Sequence, residues 1–277
     1  MTVISMLGLP FLACLALVAI LSLLGIHVLM REVIFIDIAL AQMAAVGTIA
    51  ADLLFHAHDG SMASHALAFA FVLAAAAFYA VTRRRITQIP VEAIIGVSYA
   101  IAAAATMFLV GVAPGGHVHL QHILAGSILW VKWPVILVSC LVFAAVGVLL
   151  RLFRRPLKAI SEDYDQALRT GMRVVWWDFL FYTLCGTVIT LAVHLAGVVV
   201  VFSFLIIPAT LSALFSARWG SRLILAWITG VLASVLGLLF AYYLDFSVGP
   251  SVAMFMGLEL VLAGLFNGLK KVKSVDI

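Results

Sequence analysis

The residues of this chain best able to do chemistry are a few polar side chains set in apolar sequence. In "IFIDIALAQMAAVGTIAADLL", residues 34–54, Asp37 and Gln42 interrupt an oily run. Asp52, Glu92, Asp178 and Glu259 complete the short list of carboxylates in apolar segments. A charged side chain at a bilayer centre costs about 2.5–3.5 kcal/mol on insertion scales, so each one is a site hypothesis by default. Asp178 lies at a segment end and is expected to reach the membrane interface, and Asp52 can do the same at the opposite end of its own segment. Glu259, mid-segment in "MFMGLELVLAG", suits a helix–helix hydrogen bond as well as a transport role. Asp37, Gln42 and Glu92 are the better candidates for a functional site. Glu92 follows Pro90, which starts a helix there and puts the carboxylate in its first turn, where the dipole favours charge. Asp37 and Gln42 are five residues apart, about 140° around a helix, so a second helix must supply any further ligands to an ion held by either.

Histidine is the other metal-ligating type in quantity. "FHAHDGSMASH" carries His56, His58 and His65, and "GGHVHLQHI" carries His117, His119 and His122. Imidazole is the common nitrogen ligand of zinc and similar metals. A single loop histidine is expected to be only a polar residue; as a set, these six are candidate external metal collectors.

The elements that must position these residues follow from composition. The chain has 277 residues, 66% hydrophobic and 10% charged, whereas a soluble domain carries about 25% charged residues. Runs long enough to cross a bilayer core, roughly 20 residues each, recur from end to end, and lipid leaves helices as the default spanning structure. Alternating ten-residue strands of the barrel type are not seen. Nine spans can be drawn, near 6–29, 33–55, 64–82, 90–112, 123–150, 176–194, 197–216, 222–243 and 249–268. Only "HLAG" separates the sixth from the seventh, so eight spans stay open. The first run is too long for a signal-peptide core and reads as a retained span. Cys14, Cys140 and Cys185 lie far apart in apolar spans, neither a disulfide framework nor a metal motif.

Fifteen of the sixteen basic residues fall on alternate connections, Lys132 alone dissenting. Positive residues stay cytoplasmic, which puts the N-terminus outside and the C-terminus inside. Seven of the eight histidines then lie outside. The net charge of +4 is explained by this topology and calls for no nucleic-acid partner. The one hydrophilic segment of any size, residues 151–177, falls inside. Pro156 is expected to end or start a helix, and "SEDYDQAL" offers Ser161 as N-cap of a short amphipathic helix. That helix suits a solvated loop or the docking of a soluble partner.

Four segments together resemble the integral membrane permeases of bacterial ABC importers for zinc, manganese and ferrous iron: "REVIFIDIALAQMAAVG", "PVEAIIGVSYAIAAA", "LKAISEDYDQALRTG" and "HLAGVVVVFSFLIIPATLSALF". The resemblance covers nearly the full length and implies one transmembrane permease domain over 1–277. It implies an all-α polytopic fold of the vitamin-B12-importer type (type II), with 8–9 spans and the ion path at the interface of a homodimer. It also implies a cytoplasmic ATPase dimer and an extracytoplasmic metal-binding protein as partners. Residues 160–171 become the coupling helix, with Glu162, Asp163, Ala167 and Gly171 as its marking residues. The family's Asp and His fall on Ile38 and Gln42 when Gly47 is aligned with its Gly, so the ligand set is only partly kept.

The expected function is therefore a permease subunit, in a bacterial cytoplasmic membrane, for a divalent transition metal carried as substrate, with no permanently bound cofactor. No GxxxxGK[ST] loop occurs, so ATP hydrolysis belongs to a separate subunit. Alternatives are a permease for a metal chelate or cofactor, a heterodimer with a paralogue, and a proton-coupled transporter using Asp37 and Glu92. An intramembrane metalloprotease is disfavoured, since no HExxH occurs.

Overall fold

The computed structural model describes residues 3–55, 61–112 and 128–273. Of the candidate external histidines, only His65 lies within them; His56, His58, His117, His119 and His122 are outside the described residues. Eleven α-helices follow in order: α1 (Val3–Met30), α2 (Ile36–Phe55), α3 (Met62–Arg85), α4 (Val91–Val112), α5 (Trp133–Leu152), α6 (Arg154–Glu162), α7 (Tyr164–Arg169), α8 (Val174–Ala196), α9 (Val198–Phe215), α10 (Trp219–Leu244) and α11 (Val248–Lys273). Among the described residues, nine helices are long and apolar enough to cross a membrane: all but α6 and α7.

The unsettled span count turns on Gly197. It takes φ +83°, a value side-chain-bearing residues rarely adopt, and breaks the helix in one residue between α8 and α9. The two helices have 23 and 18 residues, and even the shorter rises about 27 Å, close to the thickness of a bilayer core. The fifth span, expected from 123 to 150, instead starts at Trp133. A short 3-10 turn at Ile128–Trp130 precedes it, and Pro134 sits where a missing amide is harmless.

Helices α1 and α8 form the middle of the bundle. α1 packs chiefly against α9 and α10, and α8 against α3 and α2; α4 leans mainly on α2. α4 accordingly leaves Val97, Ile101, Met107 and Phe108 on the outside, a face suited to lipid. Cys14 and Cys185 are buried in the packing, whereas Cys140 is exposed on α5.

Residues 151–177 are mostly helical, but not as one surface helix. Pro156 lies third in α6, where no intrahelical amide bond is lost, so it neither ends α5 nor breaks α6. The N-cap expected at Ser161 is at Asp163, whose side chain accepts the Gln166 amide at 2.8 Å and starts α7. Ser161 is buried inside α6 instead.

Candidate functional site

Helix α2 positions the first two candidates. Asp37 sits in its first turn, 1% exposed. The carboxylate lies in the opening turn of its own helix, and neither oxygen has a hydrogen-bond partner. Gln42, deeper in α2, turns to another neighbour: its side-chain amide lies 3.3 Å from the Thr106 hydroxyl of α4, whose shorter contact, 2.9 Å, is to Ala102 O. The two side chains thus serve different faces, as the helical angle requires.

Glu92 begins α4 and faces neither of them. It lines an open cleft of about 650 Å³ at the end of the bundle, together with Glu32, Glu162, Asp163 and Asp165, with Arg31 and Arg83 at the cleft wall. The structure therefore does not gather Asp37, Gln42 and Glu92 into one chelate within a single copy. Among the described residues, no three His, Cys, Asp or Glu side chains stand together as a metal site. His65 is exposed on the first turn of α3, and His194 Nδ1 bonds back to Thr190 O of its own helix at 2.7 Å.

The expected coupling residues are built as a compact knuckle. Glu162 ends α6, where Trp219 Nε1 of α10 donates to it at 3.1 Å and Lys158 pairs with it at 3.4 Å. Asp163 caps α7. Ala167 is buried beneath α7 in a small cluster with Ile160 and Val174. Gly171, at φ +76°, closes α7: its amide bonds Leu168 O at 3.1 Å and the Met172 amide bonds Ala167 O at 3.3 Å, the paired pattern of a Schellman cap.

Beneath this knuckle lies a buried polar cluster that sequence reading missed. Asp178 does not reach the interface; it is fully buried. Arg31, also buried, donates to it at 2.5 Å, and Arg83 reaches both its oxygens at 3.3 Å. Arg31 Nε donates to Ser161 Oγ at 2.9 Å and Nη2 to Leu157 O at 3.3 Å, while its guanidinium stacks 4.1 Å from the centre of the Phe181 ring. The Ser161 hydroxyl donates to Leu157 O, so it accepts from both Arg31 and His27, assigning the His27 proton to Nδ1. Burial draws the Arg31 guanidinium down from its ordinary value, and the Asp178 carboxylate opposes that shift. The available signal was placement: Arg31, Arg83 and Asp178 all fall at cytoplasmic span ends, one acid among bases. Their contact also joins, in space, connections that charge bias alone had put on one side.

Comparison with known proteins agrees with this architecture. The pattern of the ABC 3 transport family matches residues 4–267. A "Probable iron transport system membrane protein" of Haemophilus influenzae is 27% identical over 212 residues, 73% of this chain and 75% of that protein. The "Manganese import system permease protein ScaB" of Streptococcus parasanguinis is 31% identical over 160 residues, 58% of this chain and 57% of that one. The solved structure of PsaBC from Streptococcus pneumoniae in complex with Fab superposes with a TM-score of 0.75 at 23% identity, covering 93% of this chain and 90% of that one. The fold is that of type II ABC importer permeases, and the chain belongs to the ABC 3 transport family.

Proposed function

We propose that this chain is the permease subunit of an ATP-driven importer for a divalent transition metal ion: zinc, manganese or iron. It works in a bacterial inner membrane as one of two copies, with a cytoplasmic ATPase dimer and an extracytoplasmic metal-binding protein. The observation that carries the reading is Asp37, a buried carboxylate in a spanning helix with both oxygens unpartnered. Such a group is costly unless something answers it. A passing cation does so and then leaves, which suits a conduit better than tight binding. The acid-lined cleft holding Glu92 offers the next oxygens toward the cytoplasm. Relatives named for iron and manganese transport support the substrate class, and a second copy supplies further ligands. The knuckle around Glu162, Asp163, Ala167 and Gly171 is the ATPase-docking element.

The neutral Gln42–Thr106 pair, where an imidazole is the family's choice, favours one second reading: a cargo that brings its own ligands. Reconstitution with the ATPase partner in vesicles separates the two, by comparing uptake of Zn2+, Mn2+ and Fe2+ free and chelated. Asp37→Ala and Glu92→Ala are each expected to slow ATP-driven uptake at least tenfold with assembly intact. Unchanged uptake in both variants removes the proposed path. Uptake driven by a proton gradient without ATP removes the importer reading altogether. Charge reversal at Glu162 and Asp163 is expected to weaken ATPase association.

A further inference from the structure

We infer that Arg31 is the joint through which the docking knuckle moves the start of α2, the helix that carries Asp37. This rests on the reading of the chain as an ATP-driven permease. Two of the three hydrogen-bonding nitrogens of Arg31 grip α6, at Ser161 Oγ and Leu157 O, and the third grips Asp178 of α8. A planar guanidinium bonded along its edges holds direction as well as distance. His27, one turn earlier on α1, holds the same Ser161 hydroxyl at 2.9 Å, so the last turn of α1 and the residue just past its end are tied to one point of α6. The side chains of Arg31 and Asp178 are fully withdrawn from solvent.

The other side of the joint is short. Only residues 32–35 separate Arg31 from Ile36, where α2 begins. Within them Glu32 sits at φ +55°, with its amide on Leu29 O and the Val33 amide on Val28 O, and the Ile36 amide bonds Val33 O. A turn bonded this closely has little slack. Arg83 adds a parallel tie, since it shares Asp178 and stacks 4.3 Å from the centre of the Tyr164 ring of α7. Displacement of α6 and α7 by the ATPase is thus delivered to the α1–α2 turn and to the end of α3, with Asp178 as the fulcrum.

The permease–ATPase complex in vesicles tests this, read as metal moved per ATP hydrolysed with Zn2+, Mn2+ and Fe2+ as probes. Ser161→Ala and Arg31→Lys are expected to keep assembly and ATP hydrolysis within twofold of the parent while metal per ATP falls at least tenfold. Ser161→Thr, which keeps the hydroxyl, is expected to restore the ratio to within threefold. A ratio unchanged in Ser161→Ala overturns the inference, as does a loss that merely tracks the amount of assembled complex. If Arg31→Lys fails to assemble, Ser161→Ala decides, because it removes a hydroxyl and no charge. If the parent moves none of the three metals, the functional reading falls and this inference with it; if the parent transports and the variants stay coupled, only the inference falls.

Discussion

Arg31 keeps a charge out of water because each edge of its fork meets an oxygen and its face meets Phe181. Removing one partner of a buried pair is far costlier than the pair is worth, since the other charge is left unanswered. Asp178→Ala is therefore expected to lower stability in detergent by about 3–5 kcal/mol. Arg83→Ala leaves Asp178 paired with Arg31 and is expected to cost nearer 1 kcal/mol. Denaturant titration of both variants checks this, and equal small losses would show the cluster to be energetically idle. At this scale the sequence marked Asp37, Gln42 and Glu92 as unusual but could not say what each one faces. Asp178 was misjudged for a related reason: a carboxylate at a span end reads as solvated unless its partner is known, and Arg31 lies 147 residues away.

At the scale of elements, apolar run length made all nine spanning helices legible, because lipid forces helical pairing on any such run. The break between α6 and α7 was hidden, since two residues with capping side chains lie within three positions and only packing chooses between them. Burial takes Ser161 into the cluster and leaves Asp163 to cap. The turn after α1 was equally hidden: nothing in "MREVIF" announces a left-handed residue, and Glu32 occupies a position where glycine is usual. A left-handed backbone costs a side-chain-bearing residue about 1–2 kcal/mol. Glu32→Gly is expected to be about 1 kcal/mol more stable than Glu32→Ala, both lacking the carboxylate. Thermal unfolding of the pair in one detergent gives the comparison; no difference would mean that the turn relaxes in solution.

Over the whole molecule, the bias of basic residues set the topology, and the contacts among residues 31, 83, 161 and 178 support it by bringing those connections to one end. A membrane-impermeant maleimide is expected to label Asp165→Cys only after the cytoplasmic face is opened and His65→Cys in intact cells. The reverse pattern would invert the topology. Native Cys14 and Cys185 are buried and are expected to stay silent in both.

The central place of α1 has a consequence for how the chain is made. Helices α2, α3 and α4 follow one another and can pack as they leave the insertion machinery, whereas α1 finds its main partners in α9 and α10, near the other end of the chain. At about 5–20 residues per second, Asp178 emerges roughly 7–30 s after Arg31. Until then Arg31, just past the end of α1, has no Asp178 to pair with, so completion of this buried cluster waits on translation of the second half of the chain.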